Sequence, residues 1–470
     1  MRQASIVGSG PNGLSAAIVL AKAGYSVDVY EAEEQIGGAS RTMPLTLPGF
    51  RHDFGSAVHP MAAGSPFFNS LPLERHGLRW THSPAAVAHP LDDGTAVTLE
   101  HDLAEAVRAL GADGRAWRRM VEPFVQHWPA FAEETLGPVL HLPRHPLLLG
   151  RFGLTAWMSS DLFARTFFKE VRTRALFAGL AAHSFLGLDE PLTAAFGMIF
   201  AITAHACGWP VPAGGSQAIP DSLAAHLLEL GGRVHPGRPI TSLKQLGNGL
   251  ILCDVSPRQL LSLAEHGLPE SYRRKLESFR PGPAAYKIDY ALSEPIPWRA
   301  AECRRAITVH IGGSFEEIAR SEGAMARGRV SDKPFLILAQ PSLFDPSRAP
   351  VGRHTAWVYC HVPNGSGMDV TQRIEDQIER FAPGFRHCVL ARHVSTPAAL
   401  EASDANLLGG DISGGAMTVG QVLFRPSLRQ YATSMPHLYL CSSSTPPGAG
   451  VHGMCGFHAA KMALRREAGA

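Results

Sequence analysis

Residues 5–31 read SIVGSGPNGLSAAIVLAKAGYSVDVYE, and this stretch decides the fold. Its first residues, 5–7, predict a short strand that runs into a glycine-rich turn. Residues 14–23 carry the apolar spacing of a helix, which Gly24 ends. Residues 26–30 predict a second strand. A strand, a glycine-rich turn, a helix and a second strand in this order are typical of a βαβ unit with a parallel sheet.

The glycines of the turn have the spacing of a dinucleotide-binding fingerprint, G-x-G-x-x-G. The first glycine permits the tight turn, the second lets the backbone approach a pyrophosphate, and the third lets the helix pack against the strand. The helix N-terminus offers N–H groups and the positive end of its dipole to the phosphates. An acid about twenty residues on can accept hydrogen bonds from a ribose diol, which favours FAD or NAD over NADP. The predicted contacts are Gly8, Gly10, Pro11, Asn12, Gly13 and Glu31.

Composition and charge exclude several classes of protein. The 470 residues include 47 glycines and 36 prolines; 18% of the chain is charged and 45% is hydrophobic. This hydrophobic content excludes disorder, and the length predicts two or three domains. A net charge of +2, from 43 basic and 41 acidic residues, argues against nucleic acid as the main partner. Seven cysteines without a C-x-x-C motif predict reduced thiols, a cytoplasmic protein and no metal site.

Two motifs follow the second strand directly. Residues 36–42 read IGGASRT, and residues 49–60 read GFRHDFGSAVHP. A dinucleotide fingerprint, an acid, a Gly-Gly-x-x-Arg stretch and then Asp-x-Gly resemble the FAD-binding domain of the phytoene-desaturase and amine-oxidase superfamily. In that family the paired glycines and the arginine lie along the pyrophosphate and the flavin. The resemblance therefore implies cofactor contacts at Gly37, Gly38, Arg41 and Ser56.

The C-terminus supplies a second glycine-rich loop before a helix. Residues 437–441 predict a strand, residues 442–456 are rich in serine, proline and glycine, and a helical stretch follows. This resembles the closing motif of the same superfamily, although Pro446 stands where the family usually has histidine. N–H groups at such a helix start can hold the flavin's pyrimidine carbonyl. The resemblance implies flavin contacts at Gly450 and Val451. His452, the next residue of the loop, is the histidine best placed for a catalytic role, and a purely structural role is the alternative.

The middle of the chain returns once to the nucleotide domain. Residues 209–216 contain paired glycines and precede an amphipathic helix over residues 218–230. In the superfamily this segment rejoins the FAD domain, and the resemblance implies a strand near Ile240 with backbone contacts to adenine. Residues 413–416 read Ser-Gly-Gly-Ala, with alanine where some amine oxidases attach the flavin through cysteine. FAD bound non-covalently is the corresponding expectation.

The predicted fold class is α/β, with a Rossmann-like FAD-binding domain and an α+β substrate domain built from insertions. We assign residues 1–72, 211–256 and 403–470 to the FAD-binding domain. Residues 73–210 and 257–402 form the predicted substrate domain. The first insertion has the spacing of helices, whereas the second mixes strands and helices. A sheet with helices over one face would form a roof above the flavin.

Lys287 is the residue of the second insertion with the most specific functional implication. The strand around it, residues 284–292, resembles the amine-oxidase strand that presents a lysine toward flavin N5 through water. A cation there stabilises negative charge, so Lys287 and His452 are the predicted catalytic residues. Alternation along the strand puts Lys287 and Asp289 on one face. The alternative is therefore a pair of these two side chains at a wet surface.

The branch that the whole chain resembles most is that of phytoene-desaturase-like proteins, among them small bacterial members. This implies an FAD-dependent oxidoreductase that takes a hydride from a C–H or C–N bond of an apolar, isoprenoid-like small molecule. Three alternatives stay open: an amine oxidase that uses O2, an FAD-containing isomerase or cyclase without net redox, and a Rab-escort-like binding protein. The most apolar segment, residues 191–209, predicts a buried helix, and a peripheral membrane contact stays open. The oligomeric state is not predicted.

Overall fold

A computed structural model describes residues 2–265 and 267–469. Its strands alternate with helices near the N-terminus and follow one another more closely in the middle of the chain. In chain order the strands are β1 (Gln3–Val7), β2 (Ser26–Tyr30), β3 (Thr42–Met43), β4 (His52–Asp53), β5 (Trp80–Thr81), β6 (Ala85–Pro90), β7 (Ala96–Glu100), β8 (Val211–Pro212), β9 (Arg233–His235), β10 (Leu250–Cys253), β11 (Ala284–Leu292), β12 (Ala306–Ile311), β13 (Leu336–Ala339), β14 (His354–Val362), β15 (Val389–Ser395) and β16 (Leu438–Leu440).

The helices range from single turns to fifteen residues. In chain order they are α1 (Pro11–Lys22), α2 (Pro60–Ala63), α3 (Pro66–Asn69), α4 (Leu103–Ala109), α5 (Gly114–Val125), α6 (Trp128–Thr135), α7 (Pro146–Ala156), α8 (Ser160–Phe167), α9 (Val171–Ala181), α10 (Thr193–Ala206), α11 (Ala218–Glu229), α12 (Pro257–Leu263), α13 (Glu270–Glu277), α14 (Phe315–Ala326), α15 (Thr371–Phe381), α16 (Phe385–Cys388), α17 (Pro397–Ser403), α18 (Val419–Leu423) and α19 (Met454–Ala468).

One sheet is parallel and has five strands in the order β16-β10-β1-β2-β9. The central strand, β1, is followed by the glycine turn and α1, as the N-terminal pattern predicts. In a parallel sheet all carboxyl ends lie at one edge, so the segments that follow β1, β10 and β16 meet there. This edge therefore brings together the glycine turn, the residue after Cys253 and the C-terminal glycine-rich loop.

The second sheet has seven strands in the order β15-β11-β14-β13-β12-β6-β7. Its neighbours are antiparallel except β12 and β6, which run parallel. Residues 73–210 are mainly helical, as predicted, and the hairpin β6–β7 is an addition to that prediction. Its signal is present in the sequence, because the apolar runs of β6 and β7 are joined by Leu91-Asp92-Asp93-Gly94-Thr95, and Asp-Gly is a typical hairpin turn.

A helical layer lies between the hairpin and the cavity described below. α9 and α10 are its most buried members, and they approach so closely that a Cβ on Gly197 would lie 2.7 Å from the ring of Phe177. α10 occupies most of the apolar segment 191–209, which is a buried helix as predicted. Among the described residues, no helix has the length and apolarity that a membrane crossing requires.

Ile240 does not belong to a strand, and this part of the sequence interpretation was wrong. The strand of this region, β9, ends at His235. The reason is the run Pro236-Gly237-Arg238-Pro239, since proline cannot donate to a strand ladder. Ile240 is half-buried and packs against a small apolar cluster that includes Val7 and Val255.

Candidate cofactor and substrate site

The glycine turn after β1 has the geometry that its sequence predicts. Gly8 has a φ of +97°, a conformation that favours glycine. A Cβ on Gly13 would lie 2.1 Å from the carbonyl oxygen of Gly8, so only glycine lets α1 start this close to the strand. Gly10 caps α1 without a side-chain acceptor, and Pro11 begins the helix. Pro11 has no N–H and that of Leu14 donates to the carbonyl oxygen of Gly10, so the first turn of α1 has the N–H groups of Asn12 and Gly13 at the sheet edge.

Asp254, which follows β10, reaches into the glycine turn and was not singled out by the sequence interpretation. Its Oδ2 accepts a hydrogen bond of 2.9 Å from the N–H of Gly13. Burial raises the pKa of Asp254 to about 7, and the nearby carboxylates of Asp404 and Glu31 act in the same direction. The pairing of β10 with β1 is what could have indicated Asp254 as a site residue, because it places the residue after Cys253 beside the turn after Val7.

Glu31 lies where the fingerprint predicts it, at the end of β2, and it is buried. Its carboxylate accepts hydrogen bonds from the N–H of Ser9 at 2.9 Å and from the N–H of Glu33 at 3.1 Å. Glu31 thus braces the glycine turn itself. The predicted contact with a ribose diol stays a prediction.

The paired glycines and Arg41 form a second layer against the turn. The N–H of Gly37 donates to Ser9 Oγ at 3.3 Å, and both glycines have positive φ. Arg41 is buried, and its guanidinium donates to the carbonyl oxygens of Gly38 at 2.9 Å and Ser403 at 2.7 Å. The side chain of Arg41 therefore joins this loop to the C-terminal end of α17.

Two helix N-termini meet at the site. A Cβ on Gly456 in α19 would lie 1.8 Å from the carbonyl oxygen of Asn12 in α1, and one on Gly453 would lie 2.2 Å from Ser15 Oγ. The Oδ1 of Asn12 is buried and has no hydrogen-bond partner among the residues that the structure describes. The two glycine-rich stretches, which are over 400 residues apart in the sequence, are therefore neighbours at the first turns of α1 and α19.

His452 ends the C-terminal loop just before α19. It is buried, and its Nδ1 accepts a hydrogen bond of 3.0 Å from the N–H of Met454. Its carbonyl oxygen accepts one of 2.7 Å from Ser65 Oγ. Burial lowers the pKa of His452 to about 4, so the imidazole is neutral at pH 7. Gly450 and Val451, which precede it, both have positive φ.

A cavity of about 630 Å³ lies between the C-terminal loop, the helical layer and the seven-stranded sheet. Its walls are largely apolar and include Phe152, Phe196 and Ile337. Five of the predicted site residues line it: Ser56, Lys287, Gly450, Val451 and His452. The remaining predicted residues, apart from Ile240, belong to the glycine turn or to the loops packed on it.

Lys287 lies in the middle of β11 and is 2% exposed. Its ammonium forms an ion pair with Asp289 and lies 5.8 Å from the ring centroid of Trp357. The alternative interpretation of Lys287 was a pair with Asp289 at a wet surface; the pair is present, but both side chains are buried beside the cavity. Burial lowers the pKa of Lys287, whereas the charges of Asp289 and Asp53 oppose that shift.

A second group of buried charges lies next to this pair and was missed from the sequence. Arg348 is fully buried between Asp53, at 2.8 Å, and Asp345, at 2.9 Å. Asp53 also accepts hydrogen bonds from the N–H of Ser216 at 2.8 Å and from Thr42 Oγ1 at 2.7 Å. This group therefore joins the Gly-Gly-x-x-Arg segment, the middle glycine segment and the turn after β13.

His52 connects the two groups of buried charges. Its Nδ1 lies 3.8 Å from Asp289 Oδ1, and its Nε2 hydrogen-bonds Thr46 Oγ1 at 2.7 Å. Burial and the charge of Lys287 lower the pKa of His52 to about 3, which makes it neutral at pH 7. It therefore contributes hydrogen-bonding capacity rather than charge.

Outside the cavity, one group of described side chains has the composition of a metal site. His76 Nε2 and His226 Nδ1 lie 3.2 Å and 3.3 Å from Glu229 Oε2. Glu229 is exposed. These distances are also those of a carboxylate that bridges two imidazoles, and nothing further in the structure points to an ion.

Comparison with known proteins agrees with this geometry. The family model of the NAD(P)-binding Rossmann-like domain matches residues 6–70, which contain the glycine turn, Glu31 and the paired glycines. The fold as a whole is that of putrescine oxidase, whose structure with bound putrescine superimposes with a TM-score of 0.62 at 15% identity over 99% of both chains. The chain is thus similar over almost its whole length to an oxidoreductase of the desaturase type, and it shares the fold of putrescine oxidase.

Two relatives are similar to this chain over almost its whole length. The phytoene dehydrogenase of Streptomyces griseus is 25% identical over 95% of this chain and 91% of its own length. Pyridine nucleotide-disulfide oxidoreductase domain-containing protein 2 of Rattus norvegicus is 26% identical over 98% of this chain and 93% of its own length. The resemblance to the phytoene-desaturase branch is therefore confirmed.

Proposed function

We propose that this protein binds FAD non-covalently and uses it to take a hydride from a C–H or C–N bond of an apolar small molecule. The observation that carries the proposal is the cavity, which reaches from the C-terminal loop at Gly450–His452 to Lys287 and is otherwise largely apolar. A cofactor held at α1 and α19 would have its reactive end at this cavity. When bound, the flavin would supply the hydride acceptor.

The residues present fit a dinucleotide. In the first turn of α1 the N–H of Gly13 is bonded to Asp254, which leaves the N–H of Asn12, and the buried Oδ1 of Asn12 has no partner within the described chain. No Cβ fits at Gly13, and one on Gly10 would lie 2.8 Å from Asp254 Oδ2, so a larger residue would fill the turn. In the proposal the turn holds the pyrophosphate, Glu31 faces the ribose, and the N-terminus of α19 faces the ring system.

Lys287 has the role of a fixed cation in a dry setting. Its partner Asp289 and the aromatic ring of Trp357 restrict the position of Nζ, and the lining of the cavity around it is largely apolar. A cation there stabilises negative charge that develops at the reacting end and orients a single water molecule. His452, neutral and bound to the N–H of Met454, keeps the C-terminal loop in place.

Amine oxidation with O2 is a second candidate, favoured by one observation. Trp357 and Tyr359 both line the cavity, and their ring centroids lie 5.0 Å apart in an edge-to-face arrangement. Such an aromatic pair suits a cation or an amine, because ring faces carry negative potential. In that reaction a primary amine and O2 would yield an imine and hydrogen peroxide.

The test begins with the visible spectrum of the purified protein, which should show a flavin band that is released by denaturation. Polyenes, isoprenoid alcohols and primary amines are then mixed with the protein without oxygen, and bleaching of the band identifies the substrate class. A folded protein that neither carries nor binds FAD would contradict the proposal. Bleaching by amines alone, followed by peroxide release in air, would select the second candidate.

Lys287→Met tests the fixed cation, with Lys333→Met as the matched control, since Lys333 is exposed. The variant should retain FAD but reduce or reoxidise it at least about tenfold more slowly. Lys287→Arg should recover part of the rate, because it restores the charge. Unchanged kinetics in Lys287→Met would reject this role.

A further inference from the structure

Two histidines form a hydrogen-bonded pair where the helical layer meets the seven-stranded sheet. His183 follows α9 directly and lines the cavity. His310 belongs to β12 and is fully buried. Their Nε2 atoms lie 3.1 Å apart, which is the distance of a hydrogen bond between the two rings. The pair therefore joins the helical layer to the sheet beside the cavity.

Both rings of this pair are neutral at pH 7. Burial lowers the pKa of His183 to about 3, and it holds the pKa of His310 well below its ordinary value. A hydrogen bond between two neutral imidazoles uses the proton of one ring and a lone pair of the other. The Nε2 of His183 is thus committed to His310, and Nδ1 is the nitrogen that remains for another partner.

The remaining nitrogen of His183 is left to the cavity. Nδ1 has no hydrogen-bond partner within the part of the chain that the structure describes. The ring is half-buried, and its centroid lies 4.5 Å from that of Phe200 and 5.5 Å from that of Trp209, two further residues of the lining. His183 therefore offers one hydrogen-bonding atom to a space whose walls are largely apolar.

Thr308 adds a second polar group beside the pair. It precedes His310 by two residues on β12, so the two side chains share one face of the sheet, about 7 Å apart. Thr308 lines the cavity, and its Oγ1 is buried without a partner among the described residues. Such a hydroxyl is normally satisfied by water or by a ligand, because an unpaired buried polar group destabilises the folded protein. We call the Nδ1 of His183 and the Oγ1 of Thr308 the polar end of the cavity.

The polar end lies far from Lys287. His310, Ile337, Tyr359 and Lys287 are paired in succession across β12, β13, β14 and β11. Three strand spacings of about 4.8 Å separate His310 from Lys287, which gives about 14 Å. A molecule that reaches both ends of the cavity is therefore elongated.

The charges around the polar end favour a neutral group. Of the described residues that line the cavity, Glu134 is the one carboxylate. It is bound to His141 and to the N–H groups of Arg144 and His145, so it is not available to a ligand cation. His183 and His310 are themselves uncharged, and Thr308 has no charge to offer. A neutral group that both donates and accepts hydrogen bonds suits these partners best.

We propose that the polar end binds a hydroxyl group of the substrate while the reacting bond lies near Lys287. A hydroxyl group satisfies Nδ1 of His183 whichever ring of the pair supplies the shared proton, and it also pairs with the Oγ1 of Thr308. The substrate class is then an elongated apolar alcohol, with its oxygen at the end remote from the site of hydride removal. The inference rests on the proposed function for the reacting end and adds the group that fixes the position of the substrate.

Farnesol and farnesene test the polar end, because they share a carbon skeleton and only farnesol has a hydroxyl group. Quenching of tryptophan fluorescence measures the binding of both to the purified protein, since Trp209 and Trp357 line the cavity. Wild type should bind farnesol about tenfold more tightly than farnesene. His183→Phe keeps an aromatic ring without the nitrogen and should reduce this ratio to about one. Thr308→Val, which keeps the shape, should reduce it to about threefold.

The ratio of the two affinities isolates the hydrogen bonds, because a purely structural effect of a substitution weakens the binding of both ligands alike. His354→Phe is the matched control: His354 is half-buried like His183 but does not line the cavity, so the ratio should stay near that of wild type. Equal affinity of wild type for the two ligands would overturn the proposal. A ratio that His183→Phe and Thr308→Val both leave unchanged would overturn it as well.

The outcome is separable from that of the redox proposal, since binding is measured without following flavin reduction. A preference for farnesol that the two variants lose, in a protein that no substrate reduces, would keep the polar end and overturn the proposed function. Flavin reduction in a protein that binds farnesol and farnesene equally well would keep the proposed function and overturn the polar end.

Discussion

Replacing Asp254 with asparagine should make the stability of the protein less dependent on pH. The carboxyl group is buried at the start of α1, where it accepts a hydrogen bond from Gly13, and Glu31 and Asp404 lie close by. Asparagine can accept the same hydrogen bond through Oδ1 but carries no charge. The substitution therefore removes the titration while it keeps the contact.

The magnitude follows from the pKa. Burial raises the pKa of Asp254 from its usual 3.8 to about 7 in the folded protein. Between these values the folded state binds a proton that the unfolded state has released, so stability falls as the pH rises and levels off above about pH 7. Each pH unit is worth about 1.4 kcal/mol, which gives a loss of about 3 kcal/mol between about pH 5 and pH 8.

Urea unfolding, followed by tryptophan fluorescence at about pH 5 and pH 8, measures this loss. Wild type should lose about 3 kcal/mol more than Asp254→Asn over this interval. Asp332→Asn is the control, because Asp332 is exposed and should leave the pH dependence as it is in wild type. Equal pH dependence in wild type and Asp254→Asn would refute the reasoning, since the carboxyl group would then titrate as it does in the unfolded chain.

Three further results are expected. Lys287→Met should lower the free energy of unfolding, measured in urea, by about 3–5 kcal/mol because it leaves Asp289 buried and unpaired. The double variant with Asp289→Asn should recover most of this lost stability. Gly456→Ala should prevent folding or cost more than about 3 kcal/mol, whereas Gly150→Ala, with open space around it, should raise the thermal midpoint slightly. Asp254→Asn should bind FAD several-fold more tightly near pH 8 in a fluorescence titration, because a carboxylate no longer repels the pyrophosphate.

The parts of the fold that the sequence predicts correctly are those set by local chemistry. The glycine turn, α1 and β2 follow from glycine spacing and apolar periodicity, and the structure has them within a few residues of the prediction. The same is true of β11, which lies where the sequence predicts a strand over residues 284–292. At Asp93-Gly94, between β6 and β7, a local turn signal was present, but the prediction of a mainly helical insertion left this hairpin out.

The parts that could not be predicted depend on contacts between distant segments. Asp254 meets Gly13 across 241 residues, and Arg348 meets Asp53 across 295. Neither Asp254 nor Arg348 stands in a motif, because each is selected by the space that other segments leave for it. A single sequence shows a buried ion pair only as two ordinary charged residues, so Arg348 carries no signal that separates it from the exposed arginines.

The environment of Lys287 depends on tertiary packing, which the local sequence pattern does not predict. Alternation along β11 correctly sets Lys287 and Asp289 on one face, but it does not say whether that face meets water or protein. The answer comes from the helical layer and the C-terminal loop, which close over the face and leave the cavity between. Two charges that would cost little at a surface are then buried, a state that apolar side chains of similar size would often stabilise more. Their presence beside an otherwise apolar cavity is therefore better explained by a need for charge at that point than by a contribution to the stability of the sheet.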